Sequence, residues 1–140
     1  MVVGDDNLNE YERLLILAEK EGLTVYENYN LNGNLKGLYC DDNIALSYNL
    51  ETASSKACIL AEEIGHYYTA TDKILDLSNA NKSKQEKKGR AWAIEHLVPR
   101  EAIASALACG CTKYWEIAEH LGMECKFIYE AMIYYRYIDM

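Results

Sequence analysis

Residues Glu62-Glu63-Ile64-Gly65-His66 place two carboxylates and an imidazole within one pentad. On a helix, positions 62 and 66 stand one turn apart on the same face, so both side chains can reach a single ion. Two ligands at that spacing, with a Glu directly after the first, form the arrangement of a zinc-peptidase helix, whose usual string is His-Glu-x-x-His. In that chemistry the intervening Glu does not bind the metal. It takes a proton from the attacking water and later gives it to the leaving amine. Here Glu62 holds the first ligand position, Glu63 the base position and His66 the second ligand position. The pentad by itself is weak, because surface helices often carry glutamates and a lone histidine usually has a structural role. Its surroundings strengthen it. Ala57, Cys58, Ile59, Leu60, Ala61 and Ile64 are apolar or small, and charged groups in a buried helix are costly unless paired or metal-bound.

The elements that must position these groups are legible in outline. Leu8–Lys20 reads as a helix capped by Asn7 and followed by Gly22. Leu23–Glu27, Gly37–Cys40 and Asn43–Ser47 read as strands, the last two joined at Asp41-Asp42 as a hairpin, and Asn28–Asn34 as a loop turning at Asn32-Gly33. Thr52 or Ser54 caps a helix running to about Thr69, which carries the pentad. Asp72–Asn81 reads as irregular. A helix over Lys82–Val98 stops at Pro99, the only proline. Beyond Arg100 the pattern is all-helical: Glu101–Cys109, Lys113–Leu121 and Glu124–Tyr137. The expectation is an α+β domain over residues 1–100, with residues 101–140 as a helical extension packed on it in one compact unit. Glu86 stands on the second long helix with Gly89 and Ala93 on its own face, small residues that let this helix pack closely on the pentad helix.

Composition narrows the function classes. The chain of 140 residues carries a net charge of −8, with 14 basic against 22 acidic residues. Nucleic-acid binding draws its affinity from neutralised phosphates, so a direct nucleic-acid role is disfavoured. Met1–Asp6 lacks the basic start and apolar run of an export signal, and no segment approaches the roughly 18 apolar residues of a membrane span. The five cysteines, an odd count, then predict reduced thiols in a cytoplasm. Cys58 reads as core filler, and Cys109-Gly110-Cys111 has no second pair with zinc-ligand spacing.

Three stretches in order carry a more specific likeness: Ala61-Glu62-Glu63-Ile64-Gly65-His66, then Glu86-x-x-Gly89-x-x-Trp92-Ala93, then Leu97-Val98-Pro99. Together they resemble the ImmA/IrrE family of metallo-endopeptidases, which reads A-H-E-L-G-H, then E-x-x-A-x-x-F-A, then L-hydrophobic-P. The likeness extends to the Gly37–Ser47 hairpin and to Trp115–Gly122, covering about residues 10–135. The resemblance implies a small zincin-like (gluzincin) fold, with a short antiparallel sheet over an active-site helix. It implies a cytoplasmic endopeptidase that cleaves a helix-turn-helix repressor in prophage or mobile-element control. By position, His66 and Glu86 would be metal ligands and Glu63 the general base. Glu62 departs from the family, which has its first histidine there. A carboxylate can also bind zinc. A one-His, two-Glu set leaves the zinc site neutral and should acidify its water less. The expectation is a weaker site that drifts toward harder ions such as manganese. The rival reading from another class is a pseudopeptidase that grips the repressor without turnover.

Other residues have two readings each. Tyr67 and Tyr68 follow the histidine and are candidates to stabilise an oxyanion, although packing is the commoner role in a chain with 12 tyrosines. Glu95 shares a helix with Glu86 but lies on a different face, and His96 reads as structural. The Asn43–Ser47 strand is expected at the sheet edge beside the active helix. Ile44, Ala45 and Leu46 would there bind an extended substrate through their backbone. The cluster Lys82, Lys84, Lys87, Lys88 and Arg90 reads first as a solvated helix face and second as a docking surface for an acidic partner. The segment Trp115–Tyr137 mimics a helix-turn-helix, but its last helix is too apolar to read bases and suits an interior or protein-contacting face.

Overall fold

A computed structural model describes residues 7–70 and 79–139. Among them the order is α1 (Glu10–Lys20), β1 (Thr24–Tyr29), β2 (Gly37–Cys40), β3 (Asn43–Ser47), α2 (Ala53–Thr69), α3 (Asn79–Leu97), α4 (Arg100–Ala108), α5 (Tyr114–Leu121) and α6 (Cys125–Tyr134). The α+β class follows directly. The expected irregular stretch Asp72–Asn81 lies mostly outside the described residues, and from Asn79 onward it already belongs to α3. No helix among the described residues is long and apolar enough to cross a membrane.

Local signals set most boundaries. Asn9, not Asn7, caps α1: its side chain accepts from the Glu12 backbone N–H, and Glu12 reaches back to the Asn9 N–H. This reciprocal pair satisfies two of the orphan donors of the first turn. Thr52 caps α2 by accepting from Ser55 N–H at 3.0 Å. Asp41 and Asp42 both take positive φ, 48° and 62°. Such a two-residue turn matches the twist of the strands it joins, and aspartate tolerates it better than most residues. Pro99 ends α3 and begins α4.

The sheet departs from expectation. Its order is β1-β3-β2, with β1 parallel and β2 antiparallel to β3. The Asn43–Ser47 strand is therefore central and not an edge. Ala45 pairs with Tyr26 on one side and Leu38 on the other, while Ile44 and Leu46 are buried in the core. The backbone of Ile44, Ala45 and Leu46 is spent on the sheet and is not free to take a substrate strand. The neighbouring hairpin was visible in the sequence. The sequence also marks β1 as a strand, but not its parallel pairing with β3, from which a loop and β2 separate it.

One apolar cluster gathers Leu14 of α1, Ile44 and Leu46 of β3, Leu60 and Ile64 of α2, Ile94 of α3, and Ile103, Ile117 and Ile128 of α4–α6. The α6 helix is tied to the end of α3 by the Tyr135 hydroxyl, which donates to the Val98 carbonyl at 2.8 Å. Phe127, Ile128 and Met132 face inward, so the apolar α6 is a packing element as its composition required.

Candidate active site

The site is built on the crossing of α2 and α3. Glycine inside a helix costs about 1 kcal/mol against alanine, and α2 and α3 each accept one. A methyl group on Gly65 would collide with the Gly89 carbonyl, and one on Gly89 would meet the His66 ring at 2.6 Å. The two glycines let the helix backbones touch and leave room for the His66 imidazole against Gly89. On its other face, α2 receives β2 in the same way: a methyl on Gly37 would sit 2.5 Å from Ile59 Cγ2 and 3.0 Å from Glu63 Oε2.

These contacts bring the sequence-derived residues around one cavity of about 710 Å³, which Glu62, Glu63, His66 and Glu86 all line. Their environments differ. Glu63 is buried, and burial, reinforced by the charges of Glu62 and Glu86, pushes its carboxyl up to about 8. Uncompensated burial favours the neutral acid. His66 is half-buried, with Nε2 3.5 Å from Oε1 of the exposed Glu86. Glu62 turns to the opposite wall. Its Oε1 lies 3.4 Å from Arg90 Nε, and the same guanidinium donates to Glu130 Oε2 of α6 at 2.7 Å. Burial raises the Glu62 carboxyl, and the Arg90 charge partly offsets the rise. Arg90 Nε is itself buried without a hydrogen-bond partner.

Arg90 and Glu130 were missed as site residues. The signal was present: Glu130 is the one carboxylate within the otherwise mostly apolar α6, and Arg90 follows Glu86 by one helical turn. Tyr67 and Tyr68 line no part of the cavity. Both hydroxyls donate to Glu21 at the end of α1, at 3.0 and 2.9 Å. They belong to an aromatic chain running Tyr39, Tyr67, Tyr68, Trp92 and His96, in which the last two rings stack at 4.7 Å. His96 is thereby a packing residue. Glu95 accepts from the Tyr134 hydroxyl, away from the cavity.

Among the described residues no three acidic, histidine or cysteine side chains converge on a point suited to a metal ion. The donor set fits in part. His66 and Glu86 stand side by side and are chemically suited to a divalent cation. Glu62 is already occupied by a fixed cation, the Arg90 guanidinium, and becomes a third ligand only if that contact opens.

No curated protein and no solved structure gives a significant match to this chain. A family model does, over residues 18–132, which contain every residue of the cavity's acidic and histidine set. The chain belongs to that family, the M78 peptidases described as the IrrE N-terminal-like domain, and is thus a metallopeptidase-like protein of the ImmA/IrrE group.

Proposed function

We propose that the protein is a metal-dependent endopeptidase whose substrate is a helix-turn-helix repressor in prophage or mobile-element control. The observation that carries this reading is the buried carboxyl of Glu63, set between β2 and the His66–Glu86 pair within one cavity. A carboxylate sequestered beside an ion-binding pair has no evident structural use, whereas a general base needs that setting. The repressor as target rests on the family alone. Zinc or manganese held by His66, Glu86 and a released Glu62 would polarise the scissile carbonyl. The chain's own contribution is proton handling. A cation bound beside Glu63 would offset the burial that keeps it neutral. The ionised Glu63 would then accept the proton of the attacking water and return it to the departing amine. The substrate edge passes from β3 to β2, whose Gly37, Leu38 and Tyr39 line the cavity and whose outer side pairs with no strand among the described residues. An extended segment laid along that edge would gain backbone hydrogen bonds beside Glu63.

A second reading has its own observation. The Arg90–Glu62 contact places a permanent positive charge at the first ligand position, as suits a protein that grips its target without turnover. Incubation with a candidate repressor separates the two readings. Cleavage that is lost with a chelator and with Glu63→Gln establishes the peptidase. Stable complex formation without cleavage, indifferent to chelator and metal, establishes the binder.

A further inference from the structure

A second groove runs along the far side of the cleft wall, between α3 and α6, with a volume of about 730 Å³. Its floor is apolar, formed by Ile94 of α3 with Ile133 and the exposed Tyr134 of α6. Its rim is basic, formed by Lys84, Lys87 and Lys88. These three lysines make no ion pair with the described residues. Lys87 and Lys88 follow Lys84 by three and four residues, one helical turn on, so the three cluster on one side of α3. The chain elsewhere is strongly acidic, at −8 overall. An acidic partner is thus repelled by most of the surface and attracted here.

We infer that the α3–α6 groove is a docking site for an acidic amphipathic helix of a protein partner. Carboxylates one turn apart on that helix match Lys84, Lys87 and Lys88, and its apolar side chains rest on the partly exposed Ile133 and the exposed Tyr134. A groove between two helices with charges at helical spacing fits a third helix better than an extended segment. A polyanionic duplex fits less well, because its phosphates gain nothing from an apolar floor and the surrounding acidic surface repels them. The groove backs onto the active cleft: Glu86, Arg90 and Glu130 stand between the two and line both. A partner helix seated there lies one side-chain layer from Glu62 and can anchor the rest of its chain across the cleft.

This inference goes beyond the peptidase reading, because binding at the groove is measured without turnover and the two readings therefore fail separately. The probe is a fluorescent amphipathic peptide of about 15 residues, long enough to reach marginal helicity, with glutamates flanking a leucine stripe. It is titrated against the full-length protein by anisotropy. Saturable binding is expected, weakening as salt rises. Affinity should fall about tenfold or more in a Lys84→Glu, Lys87→Glu, Lys88→Glu variant, and to a smaller extent with Ile133→Ser. A variant carrying Gln at the three lysine positions guards against misfolding of the charge-reversed protein, with circular dichroism as the check. Unchanged peptide affinity in both lysine variants overturns the inference. So does a mixed-sequence DNA duplex that binds more tightly than the peptide through the same lysines.

Discussion

The two walls of the cleft treat adjacent glutamates in opposite ways. On the β2 wall, Glu63 is buried against Gly37 and Ile59 with no ion-pair partner among the described residues, and its carboxyl is held neutral up to about 8. On the α3–α6 wall, Glu62 faces Arg90, which it shares with Glu130. One wall stores a carboxyl that burial keeps neutral. The other neutralises its carboxyl with a built-in counter-ion. Residues neighbouring in sequence point about 100° apart on a helix, and that rotation alone carries them into different solvents. A catalytic proton carrier belongs on the first wall, while the second wall holds three elements together.

The largest expected effect comes from the uncompensated wall. In metal-free protein, Glu63 keeps its proton in the folded state up to about 8, but titrates near 4.5 when unfolded. The folded state therefore binds the extra proton between those values, and stability falls as pH rises through that window. The slope approaches about 1.4 kcal/mol per pH unit at its steepest. Glu63→Gln should flatten this dependence and stabilise the metal-free protein at pH 8. Urea denaturation at a series of pH values checks it, and a parallel decline in the variant would show that Glu63 is not the group responsible.

Next in size is the glycine crossing that brings the walls together. Gly65→Ala gains about 1 kcal/mol of helix propensity but drives a methyl into the Gly89 carbonyl, and overpacking of this kind costs about 1–3 kcal/mol. A net loss of up to about 2 kcal/mol is expected from the urea midpoint. Gly33→Ala serves as the contrast, since its site is open and only its positive φ of 63° is strained. If Gly65→Ala is more stable than the parent, α2 and α3 do not approach as closely as the Gly65–Gly89 contact requires.

The paired wall should yield less. Arg90→Met removes the counter-ion of Glu62 and Glu130. Because Arg90 is 43% exposed, the cost is about 1 kcal/mol. Double-mutant cycles should give a larger coupling to Glu130 at 2.7 Å than to Glu62 at 3.4 Å. The same variant should tighten zinc binding in calorimetry by freeing Glu62. Unaltered affinity would mean that Glu62 takes no part in metal binding.

How far the sequence reached follows the same division. The pentad, the Asp41-Asp42 hairpin and the Pro99 stop are local signals, so their elements could be read within a residue or two. Glu86 was found because its pattern of small residues marks a close helix approach. The central position of β3 was missed because a parallel partner leaves no mark at short range. Arg90 was read as part of a solvated basic face, because its partner Glu130 lies 40 residues away on another helix. Long-range pairing and long-range charge compensation are properties of the folded arrangement.

The smallest expected effect lies outside both walls. The Tyr68 hydroxyl donates to Glu21 at 2.9 Å, and burial together with that bond pushes it up to about 12. Its ring packs on Trp92 at 5.2 Å and is substantially exposed. Tyr68→Phe keeps the ring contact and loses one hydrogen bond at the surface, so the cost should be no more than about 0.5 kcal/mol. Glu21→Gln should lower the Tyr68 titration, observed as an earlier rise in tyrosinate absorbance, without touching the cleft. If Tyr68→Phe instead reduced repressor cleavage tenfold or more, the hydroxyl would have to leave Glu21 and enter the cavity during turnover. The aromatic chain would then form a third wall of the site and no longer simply buttress α1 against α2.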